Sequence, residues 1–93
     1  MNKAQLIAAV AQKSGLTTED AGKARAAFTE TVEEALVSGE RVQIPGFGTF
    51  EAVWRPERDG RNPATGESIR IPESRSPKFK SGRAFKAALK ENQ

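Results

Sequence analysis

Residues 55–68, RPERDGRNPATGES, contain no large apolar side chain, although the whole chain has only 93 residues. A chain of this length makes at most one domain and buries a modest hydrophobic core. This stretch cannot join that core, so the remaining residues must fold without it. We therefore expect it to project from the folded body, and we expect something outside the chain to order it.

The same stretch has the features of a β-hairpin arm. In the turn sequence NPATG, Pro63 fixes φ and Gly66 can adopt a positive φ. Pro56 and Pro72 each lie eight residues from Ala64, so they should lie at matching levels on the two strands. Proline is tolerated in edge strands, which suits a ribbon whose two strands are both edges. A two-stranded ribbon without an apolar face is marginally stable in water, so a partner should order this one.

The rest of the chain predicts two helices, short strands, a return strand and a closing helix. Asn2 can cap a first helix that Gly15 ends. Thr17 can cap a second helix of about 20 residues, which Gly39 ends. The stretches RVQIPGFGTFEAVW and SIRIP have strand character, and Ser81 can cap the closing helix GRAFKAALK.

Composition excludes several classes of function. The chain has no cysteine and no histidine, so it lacks the commonest metal ligand and the commonest general base. It has no apolar run near the roughly 20 residues that span a bilayer, and its first 15 residues fit an amphipathic helix better than a signal peptide. We expect a cytoplasmic protein that is not an enzyme and uses no cofactor, metal ion or small-molecule substrate.

Charge is distributed unevenly along the chain, whose net charge is +3. Residues 1–46 carry five Lys or Arg against six Asp or Glu, whereas residues 47–93 carry ten against six. The C-terminal half therefore suits a polyanion. A helix-turn-helix in AQKSGLTTEDAGKARAAF is a poorer candidate, because the end that would enter a groove carries Glu19 and Asp20. A plain helical hairpin is favoured there.

Arginines and a proline give the arm a candidate partner. Arg55, Arg58 and Arg61 mark its outgoing strand, and guanidinium groups suit phosphates and the negative potential of a narrow minor groove. Pro63 at the tip is rigid and has no N–H to desolvate, like the wedges that architectural proteins insert between base pairs. Double-stranded DNA is therefore the predicted partner.

These motifs resemble the HU and integration host factor family of bacterial histone-like DNA-bending proteins. The resemblance runs from MNKAQLIAAVA through IPGFGTF and GRNPATG to FKSGRAFKAALK. It implies an α+β fold with two N-terminal helices, a three-stranded antiparallel sheet with a protruding β-ribbon arm and a short C-terminal helix. It also implies an intertwined dimer whose two arms wrap the minor groove, with tip prolines that kink the duplex.

The resemblance also implies which residues contact DNA. The expected contacts in the arm are Arg55, Arg58, Arg61, Asn62 and Pro63, those in the body are Lys3, Lys80, Arg83 and Lys86, and Arg75 completes the set. Helical spacing independently groups Arg83, Lys86 and Lys90 on one face, with Ala84, Phe85, Ala88 and Leu89 on an opposite, buried face. The backbone N–H groups of Ser81 and Gly82 should form an anion site beside Lys80.

Some residues depart from the family pattern. Val53 and Trp54 stand where basic or polar residues are usual, and Glu57, Asp59 and Glu67 balance the three arginines of residues 55–68. The electrostatic attraction of this arm for DNA should therefore be weaker than is typical of the family. Strand alternation places Arg55 and Arg61 on one face and Arg58 on the other, unless a bulge intervenes.

We predict one HU-like domain over residues 1–93. Residues 1–46 form the helical dimerisation part and the first strand, residues 47–80 the sheet with the arm at about 55–74, and residues 81–93 the C-terminal helix. The predicted function is architectural: a homodimer in the nucleoid that binds and bends DNA with little sequence specificity. The alternatives are a sequence-specific bender of the host-factor type and a protein-interaction module that uses the arm.

Overall fold

The computed structural model describes residues 1–91, which form an α+β fold with the predicted order of elements. The elements are α1 (Lys3–Ser14), α2 (Thr18–Val37), β1 (Val42–Ile44), β2 (Gly48–Arg55), β3 (Arg58–Arg61), β4 (Ser68–Ile71), β5 (Ser74–Ser81) and α3 (Arg83–Glu91). The chain divides into two compact units, Met1–Glu34 and the residues from Ala35 onward. The single-domain boundaries stay a prediction, and residues 92 and 93 of the predicted closing helix lie outside the described residues.

Capping interactions fix the ends of α1 as the sequence predicts. The Gln5 backbone N–H donates to Asn2 Oδ1 at 2.9 Å, and the Asn2 N–H donates to Gln5 Oε1 at 2.8 Å. This reciprocal capping box satisfies two backbone donors that the first turn leaves unpaired. At the other end Gly15 adopts φ 77°, and its N–H donates to the Ala11 carbonyl at 3.0 Å.

Local signals also fix both ends of α2. Thr17 Oγ1 accepts from the Asp20 N–H at 3.0 Å at its start. At its end the Gly39 N–H donates to the Leu36 carbonyl at 3.1 Å, and the Glu40 N–H donates to the Ala35 carbonyl at 2.8 Å. This pair of bonds is a Schellman motif, which requires a left-handed residue, and Gly39 supplies it at φ 89°.

The strands form two separate antiparallel sheets. The first is the predicted three-stranded sheet and has the order β1-β2-β5, and the second consists of β3 and β4. Gly46, at φ 83°, lies in the turn from β1 to β2, where the Phe47 N–H donates to the Ile44 carbonyl at 3.0 Å. The three-stranded sheet with an additional two-stranded ribbon is therefore confirmed.

Four phenylalanines pack together around the sheet and α3. Phe50 and Phe79 face each other across the β2–β5 ladder with ring centroids 4.8 Å apart, and Phe47 stacks on Phe85 at 5.5 Å. These ring contacts indicate a packing role for Phe47, Phe50 and Phe79. The predicted buried face of α3 is only partly correct, because Leu89 is 60% exposed and Phe85 alone of that face joins the cluster.

The start of α3 differs from the prediction by one residue. The helix begins at Arg83, and the Gly82 carbonyl accepts the first helical bond, from the Lys86 N–H at 3.1 Å. Gly82 therefore occupies the cap position, and Ser81 is the last residue of β5. The predicted cap at Ser81 is wrong because the strand continues one residue further than composition indicates.

Gly48 is the glycine whose replacement should destabilise this sheet. A Cβ atom at position 48 would lie 2.5 Å from the Lys80 carbonyl oxygen and 2.5 Å from Phe79 Cζ. We predict that Gly48→Ala lowers the free energy of unfolding by about 1–3 kcal/mol, because the β2–β5 backbone must move apart. The midpoint of urea unfolding, followed by circular dichroism, measures the change.

Gly22→Ala is the matched control. Gly22 lies within α2, and the nearest atom to its added Cβ is Ile7 Cδ1 at 3.8 Å, an ordinary contact. This replacement should raise the free energy of unfolding by up to about 1 kcal/mol, because alanine favours helix interiors. Equal midpoints for the two variants would contradict the account of Gly48.

Candidate nucleic-acid interface

Residues 58–71 form a two-stranded antiparallel ribbon within the arm that the sequence predicts at about residues 55–74. Arg58 pairs with Ile71 and Arg61 with Ser68, so β3 and β4 are paired only with each other among the described strands. The β2–β5 ladder below it ends at the pair Arg55 and Ser74. One register runs through both ladders, and no bulge changes it.

The two prolines lie at the joint between the ladders. Arg55 pairs with Ser74 at the end of one ladder, and Arg58 pairs with Ile71 at the start of the next. The same register between them places Pro56 opposite Glu73. It places Pro72 opposite Glu57. The predicted match of Pro56 with Pro72 is therefore wrong by one residue, because the hairpin is centred between Ala64 and Thr65. Neither β3 nor β4 contains a proline, so the missing N–H groups interrupt no bond of the ribbon ladder.

The tip of the arm is a compact turn built around Asn62. Asn62 Oδ1 accepts from the Ala64 N–H at 2.9 Å, and the Asn62 carbonyl accepts from the Gly66 N–H at 2.7 Å. Gly66 has φ 75°, as the sequence predicts, and its carbonyl accepts from Arg61 Nη1 at 3.2 Å. These bonds hold Pro63 exposed at the apex of the ribbon.

One face of the ribbon carries a small apolar contact that the prediction missed. Gly60 is level with Ile69, and a Cβ on Gly60 would lie 2.7 Å from Ile71 Cδ1. The isoleucines of the return strand therefore cover the space that Gly60 leaves open, and Ile71 is half-buried. The expectation of a ribbon without an apolar face is wrong, because it considered residues 55–68, which end before the isoleucines of β4.

Strand alternation divides the charges of the arm between its two faces. Arg58 is level with Ile71, so it lies on the face of Gly60 and the isoleucines. Asp59 and Arg61 lie on the other face, together with Arg70, which is level with Asp59. The structure therefore places Arg58 and Arg61 on opposite faces of the ribbon. This is the arrangement expected for a ribbon without a bulge.

Arg70 is a further cation of the arm and was not among the predicted contact residues. Its guanidinium forms ion pairs with Glu57 and with Asp59, and Arg70 Nη1 lies 3.2 Å from Asp59 Oδ1. These partners are far apart in sequence, and only the register brings them together. The spacing of Arg70 from the turn sequence could have revealed the pair, once the hairpin was centred correctly.

Several predicted contact residues of the body have partners within the chain. Lys80 Nζ lies 3.1 Å from Glu51 Oε1, and the Glu51 side chain is 13% exposed. Arg75 Nη2 donates to the Val37 carbonyl at 3.2 Å, so this guanidinium binds the C-terminal end of α2, where the helix dipole favours a cation. Among the predicted contacts of the arm, Arg55 also has a partner, because its Nε donates to Ser76 Oγ at 3.3 Å.

The remaining predicted cations are exposed on helices. Arg83 and Lys86 lie in the first turns of α3, and Lys3 is the first residue of α1. The predicted anion site beside Lys80 is wrong in one respect, because the Gly82 N–H donates to the Phe47 carbonyl at 2.7 Å. This hydrogen bond joins the residue before β2 to the residue before α3, so the Gly82 N–H is not available to an anion.

The described part of the chain shows neither a metal-binding cluster nor a membrane-spanning helix. Across residues 1–91 no group of three or more acidic, cysteine or histidine side chains could hold a metal ion. None of the helices described is both long and apolar enough to cross a membrane.

Comparison with known proteins defines the class to which this chain belongs. The profile of the bacterial DNA-binding protein family matches residues 1–90, so the chain is a member of that family. This result confirms the resemblance that the motifs carry, and it confirms a binding protein rather than an enzyme.

The individual relatives that are most similar to this chain include several HU proteins. The chain is 55% identical over 89 residues to the DNA-binding protein HU of Lactococcus lactis, covering 96% of this chain and 98% of the relative. It is 56% identical over 86 residues to that of Clostridium pasteurianum, covering 92% and 94%. An HU protein of Anabaena, solved in a cocrystal with DNA, superposes with a TM-score of 0.92 at 43% identity, covering 96% and 97% of the two chains.

Proposed function

We propose that this chain is an HU-like architectural protein, which binds double-stranded DNA with little sequence specificity and bends it. The ribbon enters the minor groove, its arginines contact phosphates, and Pro63 is the wedge at a base step. In this proposal the body cations Lys3, Arg75, Lys80, Arg83 and Lys86 contact the flanking DNA. The protein acts in the cytoplasm, on the nucleoid.

The form of the ribbon carries this proposal. Its tip is fixed by five hydrogen bonds within residues 61–67, so the apex is shaped before any partner arrives. Pro63 and Arg58 are exposed. They contribute nothing to a hydrophobic core, and they are accessible to a partner. The structural likeness to an HU protein in a cocrystal with DNA supports the same assignment.

A second copy of the chain is the other proposed partner. Among residues 1–91 the buried apolar side chains are Ala11 and Ala21, whereas Phe28 is 48% and Val37 71% exposed. Leu6 and Val10 line an open groove with Phe28 on the helices of the first compact unit. Such exposed apolar surface is typical of an interface, so we propose that the folded unit is an obligate homodimer.

Light scattering tests the homodimer. At low micromolar concentration we expect the mass of two chains, each of 10.1 kDa, throughout the peak. Dilution should unfold the protein and not release a folded monomer, because the dimer supplies most of its apolar burial. A stable monomer with native circular dichroism would contradict the proposal.

A gel-shift comparison tests the DNA-binding function itself. Three duplexes of equal length are used: an intact duplex, the same duplex with a nick, and a duplex that carries a host-factor recognition sequence. We expect all three to shift and the nicked duplex to bind most tightly, because a nick lowers the cost of unstacking a base step. No shift at low salt would refute the function, and strong preference for the recognition sequence would favour the sequence-specific alternative.

A further inference from the structure

The guanidinium of Arg70 is shared between two carboxylates of the opposite strand. Its Nη1 donates to Asp59 Oδ1 at 3.2 Å, and its Nε and Nη2 atoms both contact Glu57 Oε1. Asp59 is directly across the ladder from Arg70, and Glu57 is the next residue on the same face. All three nitrogen atoms of the guanidinium therefore contact carboxylates within the arm.

Solvent exposure makes these ion pairs easy to exchange. The side chains of Arg70, Glu57 and Asp59 are 66%, 48% and 81% exposed. Ion pairs at such exposure contribute little to stability, because water and salt screen them. A competing anion of similar geometry could therefore replace the carboxylates without unfolding the ribbon.

Phosphate is an anion of that geometry. Arginine binds phosphate and carboxylate with the same planar fork of donors, often through two parallel hydrogen bonds. Arg70 lies on the ribbon face that also carries Arg61, one step further from the tip. A DNA backbone that reaches Arg61 from this face would next meet Arg70 together with its two carboxylates.

We propose that Arg70 is a further phosphate-contacting residue of the arm, and that Glu57 and Asp59 compete with DNA for its guanidinium. The proposal rests on the DNA-binding function proposed above. In the free protein the carboxylates hold Arg70; in the complex a phosphate oxygen takes their place, and the carboxylates return to water. Because one set of ion pairs is lost when the other forms, this arm binds duplex DNA more weakly than its arginines would alone.

A double-mutant cycle tests this exchange. The four proteins are the parent, Arg70→Gln, Glu57→Gln with Asp59→Asn, and the combination of all three changes. Dissociation constants for one intact duplex are measured by fluorescence anisotropy over a range of salt concentrations. Circular dichroism first establishes that all four proteins are folded, and Glu67→Gln controls for the removal of a negative charge that does not contact Arg70.

The exchange predicts a particular order of effects. Neutralising Glu57 and Asp59 should tighten binding, and Arg70→Gln should then cost a larger factor in affinity than it does in the parent. In the neutralised background Arg70→Gln should also reduce the magnitude of the salt slope by about 1.8, which is 0.9 for one phosphate contact in each of two arms. Glu67→Gln should tighten binding less than the change at Glu57 and Asp59.

The reverse order would overturn the proposal. If Arg70 stays on its carboxylates in the complex, its removal leaves two unpaired negative charges beside DNA, so Arg70→Gln costs more affinity in the parent than in the neutralised background. Equal costs in the two backgrounds would overturn it as well. Failure of all four proteins to bind duplex DNA would instead refute the DNA-binding function, which separates the two claims.

Discussion

Replacing both Arg58 and Arg61 by alanine is expected to weaken duplex binding strongly and to flatten its dependence on salt. Each lost phosphate contact removes about 0.9 from the slope of log affinity against log salt. With two arms in a dimer, the slope should fall by about 3.6 if both arginines contact phosphate and by about 1.8 if only one does. The distinction matters because the two side chains lie on opposite faces of the ribbon. Anisotropy titrations at several salt concentrations measure the slope.

The single variants and one control complete that experiment. Arg58→Ala and Arg61→Ala show which face meets the phosphates, although Arg61→Ala also removes the bond to the Gly66 carbonyl. Lys13→Ala is the matched control, because Lys13 is an exposed cation in the last turn of α1 and lies outside the predicted contact set. An unchanged slope in the double variant would place the contacts elsewhere, most simply on Lys80 and Lys86.

Pro63→Ala is expected to abolish most of the DNA bending while leaving the affinity for straight duplex nearly unchanged. The change keeps every arginine and the hydrogen bonds of Asn62 and Gly66 that form the turn. It removes the rigid ring that would enter a base step, where unstacking costs a few kcal/mol. Ligase-catalysed circularisation of DNA fragments shorter than the persistence length of about 150 base pairs measures the bend.

Pro56→Ala is the matched control for that variant. Pro56 is in the same arm but lies at the joint below the ribbon, so its replacement leaves the tip intact. This variant should circularise DNA as well as the parent protein does. If Pro63→Ala also circularises DNA at the rate of the parent, charge alone bends the duplex and Pro63 is only a turn residue.

The parts of the fold that sequence predicted well depend on interactions between near neighbours. The capping box of Asn2, the left-handed Gly39 and the turn at Gly66 each involve residues within five positions of one another. Such interactions are visible in the order of residues alone. The cap at Ser81 failed because the end of β5 is set by pairing with Gly48, which lies in another strand.

The arm shows the same limit more clearly. Its existence, its turn and its tip residue followed from composition, whereas its register could not be read from two prolines. The observed register differs from the predicted one by one residue. Pro56 therefore lies opposite Glu73 and not Pro72, and Arg70 lies opposite Asp59. The apolar contact of Ile69 and Ile71 across Gly60 was missed because the prediction considered residues 55–68, which end before Ile69. Local chemistry predicted the elements of the site, and register determined which charges meet.

The placement of the ribbon tip in the minor groove is the central claim, and a cleavage reagent at the tip tests it most directly. The chain has no cysteine, so Ala64→Cys provides a single thiol next to Pro63 for attachment of an iron chelate that releases hydroxyl radicals. On a nicked duplex, cleavage should form a narrow cluster near the nick, with the maxima on the two strands offset in the 3′ direction, as a reagent in the minor groove produces. A 5′ offset would place the tip in the major groove and contradict the account, as would cleavage spread evenly along the duplex.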